Sequence, residues 1–180
     1  VTTTGRPNTR VWNVAGITNL DSLAVIQLNQ LGEFKGKLCL ADWRYRKMRD
    51  QIDTRIQKQL GVNYTEQTTD LHRQAIEQFE EYFLQQRKQF TVPLHFVGTD
   101  FQQSVWKALQ NIPYGETRSY LELSQEIGNA KAVRAVANAN GANAISIIVP
   151  CHRIIGADGK LVGYAGGINV KEKLLNLESD

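Results

Sequence analysis

The chain has 180 residues, 42% of them hydrophobic and 22% charged, with a formal net charge of +3. That length can bury a real core in one domain or two small ones, and the composition is that of a globular rather than a disordered or fibrous protein. The mild basicity permits an anionic partner without demanding one, and no apolar run approaches the roughly 20 residues that cross a membrane. The polar start Val1-Thr2-Thr3-Thr4-Gly5-Arg6-Pro7 lacks the basic-then-apolar order of a secretory signal, so a cytoplasmic protein is expected. Its only cysteines are Cys39 and Cys151. They make neither a disulfide framework nor a zinc cluster, and free thiols fit a reducing compartment. His72, His95 and His152 have no metal-ligand spacing, so no metal and no cofactor is expected.

In chain order, Ser22–Leu28 and Lys37–Ala41 read as two short strands separated by a turn-like Gly32–Gly36. Met48, Ile52, Ile56 and Leu60 recur at i,i+4 and predict a helix over 48–60 with a solvated opposite face. A second helix follows Thr68-Thr69-Asp70 and carries Leu71, Ile76, Phe79, Tyr82, Phe83 and Leu84. A polar stretch then marks a hinge near residues 86–98. The expected division is an α/β domain with a small antiparallel sheet over 1–92 and a mainly helical domain over 93–180.

The second half opens with Thr99 as the cap of a helix bearing Phe101, Val105, Trp106, Leu109 and Ile112, closed by Pro113-Tyr114-Gly115. Two short helices, Ser119–Ile127 and Ala130–Ala139, flank the turn Gly128-Asn129. Arg134 is expected mid-way along the second helix. Such a pair is either a DNA-reading helix-turn-helix or a packed helical corner with Arg134 in solvent.

Pro150-Cys151-His152-Arg153 follows the apolar run Ile145–Val149, which reads as a strand, and precedes the loop Gly163-Tyr164-Ala165-Gly166-Gly167. A cysteine reacts as the thiolate, which a neighbouring histidine can generate. On a strand, however, adjacent side chains face opposite ways. These residues alone leave two readings open, an activated nucleophile or a small core cysteine beside a surface histidine.

Taken in order, Gly98–Trp106, Ile112–Thr117, Lys131–Val136, Ala142–Ile145, Pro150–Arg153 and Gly163–Gly167 resemble the O6-alkylguanine-DNA alkyltransferases. The likeness is dense over about residues 98–180 and weak over 1–90. It implies a suicidal DNA-repair protein that moves the alkyl group from O6-alkylguanine to Cys151, with O4-alkylthymine left open as a second substrate. By the same likeness His152 is a general base acting through a water, Glu178 orients it, and Asn143 is a buried strut behind the cysteine. Tyr120 helps rotate the base and protonates the leaving guanine, and Lys171 lies near the leaving oxygen. Arg134 enters the space left by the flipped nucleotide, Tyr164 packs on the guanine, and the Ala165 amide points at O6. Ala132, Ala135 and Ala139 let the second helix approach the DNA backbone.

The implied partner is double-stranded DNA carrying O6-alkylguanine, with no membrane, and a monomer in solution able to cluster on DNA. The small residues after Tyr164 suggest an open pocket that admits alkyl groups larger than methyl. No zinc cluster or additional methyl-sensing domain is seen, which suggests a stand-alone repair protein. The main alternative is a non-catalytic lesion-binding protein, against which Cys151 itself argues. A helix-turn-helix regulator leaves the cysteine motif unexplained. A Cys-His hydrolase lacks an oxyanion-hole signature.

Overall fold

The structure is a computed structural model that describes residues 8–12, 28–43 and 46–179. The chain divides into two compact units after Gly98. In the first, β1 (Asn8–Trp12), β2 (Leu28–Phe34), β3 (Lys37–Trp43) and β4 (Tyr64–Glu66) form a sheet of order β3-β2-β1-β4. Its pairings are antiparallel except for β4, which runs parallel to β1. Of the strand expected over Ser22–Leu28, all but Leu28 lies outside the described residues.

The β2–β3 hairpin turns at Lys35 and Gly36, with φ of 51° and 74°. Two left-handed residues suit the twist of a two-residue hairpin. The turn is therefore shorter than the Gly32–Gly36 span expected. Gly32 belongs to β2, where an added Cβ would lie 2.9 Å from Leu40 Cβ. Along β3, Leu38 exchanges backbone hydrogen bonds with Pro93 (2.8 Å) and His95 (2.9 Å).

Helix α1 (Arg49–Leu60) buries Ile52 and Ile56, as the i,i+4 stripe requires, and ends at Gly61 with φ 66°. Helix α2 (Asp70–Phe83) begins with a reciprocal cap. The His72 backbone N–H donates to Thr69 Oγ1 at 3.3 Å, and the Thr69 N–H donates to His72 Nδ1 at 3.2 Å. Two of the helix's orphan donors are thereby satisfied. Phe79 and Tyr82 on its inner face are fully buried.

In the second unit, α3 (Asp100–Leu109) is capped by Thr99 and Gln102. The strand pair β5 (Arg118–Ser119) and β6 (Ile154–Ile155) is parallel, matching Arg118 to Ile154 and Ser119 to Ile155. Between them come α4 (Tyr120–Glu126), a 3-10 turn at Ala130–Ala132, and α5 (Val133–Gly141). The second helix of the pair thus begins three residues later than the alanine pattern suggests, and Arg134 stands in its first turn. Trp106 Nε1–H on α3 donates to the Ala139 carbonyl on α5 at 2.8 Å. Helix α6 (Ile168–Leu177) closes the unit, with Leu174 and Leu177 inward.

Ile145–Val149 is not the expected strand. It is a buried loop, bridged to itself between Ser146 and Val149, and Ile147 takes φ 71°. A β-branched residue in the left-handed region is strained and persists only when its surroundings fix it. Here Ile147 is 1% exposed. The apolar run therefore reports burial, and the backbone conformation comes from tertiary packing.

Candidate active site at Cys151

Pro150 ends this loop and the chain enters a 3-10 turn, Cys151–Arg153. The turn takes consecutive side chains off the alternation of a strand. It buries Cys151, His152 and Arg153 together, at 2%, 0% and 7% exposure. The reading of His152 as a surface histidine is excluded.

Asn143 stands behind the thiol. Its Nδ2 donates to the Val149 carbonyl at 3.0 Å and lies 3.1 Å from Cys151 Sγ, while its Oδ1 accepts the Ile145 N–H at 2.9 Å. One amide therefore holds both ends of the apolar loop and directs a donor at sulfur. Asn140, singled out by nothing in the sequence, is also buried and reaches toward the Cys151 carbonyl at 3.5 Å.

His152 Nε2 lies 2.8 Å from Glu178 Oε1, at the end of α6. Arg153 takes the same carboxylate with Nε to Oε2 at 2.8 Å and Nη2 to Oε1 at 3.0 Å, and its Nη1 donates to the Ile112 carbonyl at 2.6 Å. The Gly115 N–H also points to Oε2, at 3.4 Å. Burial opposes the charge on Glu178, but the hydrogen bonds from His152 and Arg153 outweigh it and hold the carboxyl far below the usual range. Burial pushes the His152 pKa down, against the pull of Glu178, and so favours the neutral imidazole. A carboxylate accepting from Nε2–H leaves Nδ1 as the basic nitrogen. Nδ1 has no hydrogen-bond partner among the described residues.

Lys171 is fully buried, and its ammonium donates to the carbonyls of Ile154 and of Val162 (2.7 Å for the second). It therefore clasps β6 to the start of the glycine loop. Burial lowers its pKa to about 8, partly offset by attraction to Cys151. Tyr120, the first residue of α4, arrives beside the acceptor turn through the β5–β6 pairing. Burial and the charge of Cys151 raise its pKa, and a hydrogen bond with the Asn140 side chain opposes them. The Tyr164 ring meets His152 edge-on, with centroids 6.3 Å apart, and Ala165 beside it is half-buried. Arg134 and Ala135 are exposed on α5, and Ala132 is half-buried in the preceding turn.

The structure thus gathers Cys151, His152, Glu178, Asn143, Lys171, Tyr120 and Tyr164 in one region, with Arg134, Ala135 and Ala132 along a neighbouring helix and turn. Arg153, Asn140 and Gly115 also bond to residues of this region and were not singled out in the sequence. The sequence signal for Arg153 was its place in the Pro150–Arg153 motif, directly after His152.

A buried thiol backed by the Asn143 amide, beside a His152–Glu178 pair whose imidazole meets the Tyr164 ring, can serve as a nucleophile. A family model described as the 6-O-methylguanine DNA methyltransferase, DNA binding domain, matches residues 100–180. The methylated-DNA–protein-cysteine methyltransferase of Methanosarcina acetivorans is 58% identical over 109 residues, covering 61% of this chain and 70% of that one. The Mycobacterium bovis protein of the same name is 61% identical over 104 residues, 58% of this chain and 63% of its own. The crystal structure of Mycobacterium tuberculosis OGT in complex with DNA superposes with a TM-score of 0.75 at 39% identity, over 95% of this chain and 92% of that one. The chain belongs to the methylated-DNA–protein-cysteine methyltransferase family.

Proposed function

We propose that the chain repairs O6-alkylguanine in double-stranded DNA by taking the alkyl group onto Cys151, once per molecule. The observation that carries this reading is Cys151 Sγ set 3.1 Å from the Asn143 amide, next in chain to a histidine paired with Glu178 at 2.8 Å. Sulfur attacks the alkyl carbon, the carbon–O6 bond breaks and a thioether forms. The thiol proton passes to His152 Nδ1 through a water, and Tyr120 supplies a proton to the departing guanine. A thioether has no easy route back to thiol, so the protein is consumed.

The alkyl carbon is out of reach inside a duplex, so the base must leave the stack. The second unit, Thr99–Asp180, acts as the DNA-binding and acceptor domain, with α4 and α5 as a helix-turn-helix. Arg134 fills the vacated space from the exposed first turn of α5. Ala132 and Ala135 permit close approach to the minor groove, whose degenerate pattern suits a search for damage rather than sequence. Tyr164 stacks on the flipped guanine and the Ala165 amide meets O6. Lys171 acts here through the loop it clasps. The protein works as a monomer that can cluster along DNA, and its two buried free thiols suit the cytoplasm.

The test is intact-mass spectrometry after incubation with a duplex carrying one O6-methylguanine. One methyl group per chain, mapped to Cys151 and stoichiometric with repaired guanine, is expected. Tight binding of the lesion without an adduct would instead establish a lesion-binding protein.

A further inference from the structure

The reaction described so far gives Arg153 no part, yet its guanidinium makes three hydrogen bonds at the site. The residue is 7% exposed, and it spends its donors on both oxygens of Glu178 and on the Ile112 carbonyl, all between 2.6 and 3.0 Å. Its guanidinium also lies over the Tyr114 ring, 5.8 Å from the centroid, and the Tyr114 hydroxyl donates to the Leu177 carbonyl at 3.0 Å. The segment from Ile112 to Gly115 therefore closes around the end of α6 through Arg153. Glu178 Oε1 is shared between His152 and Arg153, whereas Oε2 serves Arg153 and the Gly115 N–H.

That sharing has an electrostatic consequence. A lone buried carboxylate beside an imidazole pulls a proton onto it, and a protonated His152 cannot accept one from Cys151. A guanidinium gripping the same carboxylate cancels much of that field while leaving its geometry intact. The other charged or titratable groups around the imidazole are Cys151 and Arg153 on its own turn, Lys171 and Glu178 on or after α6, and Tyr164 from the glycine loop. Glu178 alone among them draws a proton toward the ring when it is ionised and Cys151 is still a thiol.

We propose that Arg153 is a positioning residue for alkyl transfer: it holds Glu178 in a two-pronged, charge-neutral pair, so that the carboxylate orients His152 through one oxygen without protonating it at rest. The proposal rests on the reading that His152 takes the Cys151 proton. Arg153 touches neither thiol nor substrate in this role. It acts through Glu178, and the proton it governs moves from Sγ to Nδ1 only when the alkyl carbon is attacked.

The experiment uses the full chain and single-turnover transfer from a duplex carrying one O6-methylguanine, followed across pH for the wild type, R153K and R153M. Nitrogen NMR of His152 in the wild type accompanies it. R153M is expected to move the acid limb of the rate profile upward by about one pH unit, the effect of removing a nearby charge. R153K is expected to keep the limb in place but to slow transfer by on the order of tenfold, because an ammonium cannot grip both oxygens. In the wild type, His152 is expected as the neutral tautomer protonated at Nε2 at pH 7. An unmoved limb in R153M, a wild-type rate in R153K, or an imidazolium at pH 7 would each overturn the proposal. Should R153M not fold, the R153K rate and the wild-type spectrum decide the matter alone. Absence of any adduct on Cys151 in the wild type would sink the transfer reaction itself, a result distinct from all of these.

Discussion

Sulfur at Cys151 faces the side-chain amide of Asn143. Asn143 is 2% exposed and bonds the Ile145 N–H, the Val149 carbonyl and Cys151 Sγ. Asn143→Ala removes the acceptor of a buried backbone N–H, which costs about 1–3 kcal/mol. It also takes a donor away from the sulfur on which negative charge develops. Denaturant titration should show that loss of stability, and single-turnover methyl transfer should slow by on the order of tenfold or more. Transfer at the wild-type rate would mean that the Asn143 contact is structural only. Asn143, His152 and Glu178 were legible in the sequence through the resemblance, since each stands inside or near a motif. Arg153, although inside the Pro150–Arg153 motif, and Asn140 were given no role, because nothing local to either residue shows its partner. An arginine after a histidine reads as a surface residue until Glu178, 25 residues later, is seen to return to it.

Among the elements, the turn after α3 and the end of α6 control Glu178 together. Gly115 has φ 81°, and an added Cβ would sit 2.7 Å from the Glu178 carbonyl oxygen. Gly115→Ala therefore meets both backbone strain and a clash with main chain. Strain alone costs about 1–3 kcal/mol. A lowered melting temperature and slower transfer are expected together, since the end of α6 must shift and carry the carboxylate with it.

Lys171 gives α6 a pH signature. Its folded pKa of about 8 lies below its ordinary 10.5. Below pH 8 both folded and unfolded chains carry the proton, and the cost of burying the charge is fully present. Between pH 8 and 10.5 the unfolded chain binds more protons, so stability rises with pH. Subtracting the stability curve of Lys171→Met from that of the wild type should isolate a rise of a few kcal/mol across that window, at about 1.4 kcal/mol for each pH step of one. A flat difference would show that Lys171 is not desolvated as its burial implies.

Element by element, the helix capped by Thr99 was readable, because the cap chemistry is local. Ile145–Val149 and Ala130–Ala132 were misread for the opposite reason. Apolar character reports that a segment is buried, and alanine that it can be helical. Neither fixes a backbone whose hydrogen bonds go to Asn143 and to a 3-10 turn.

Each unit of the molecule contains one buried thiol, and the two make an internal comparison. Cys39 is 1% exposed and Cys151 2%, so access alone predicts that neither reacts faster. Their polar neighbours differ in sign. Cys39 Sγ lies 3.4 Å from the Gly32 carbonyl, an acceptor that favours the thiol. Cys151 Sγ faces an amide donor at 3.1 Å and attracts the charge of Lys171, both of which favour the thiolate. Because the thiolate is the nucleophile, iodoacetamide added to the folded chain should modify Cys151 well before Cys39. Peptide mapping over a time course would give a rate ratio on the order of a hundredfold, the equivalent of about 2.7 kcal/mol in barrier. Urea at unfolding concentration should bring the two rates within a few-fold of each other, because the donor and the lysine then no longer surround the sulfur. Equal rates in the folded state would place the reactivity of Cys151 in the arriving substrate rather than in the surroundings that the protein builds for it.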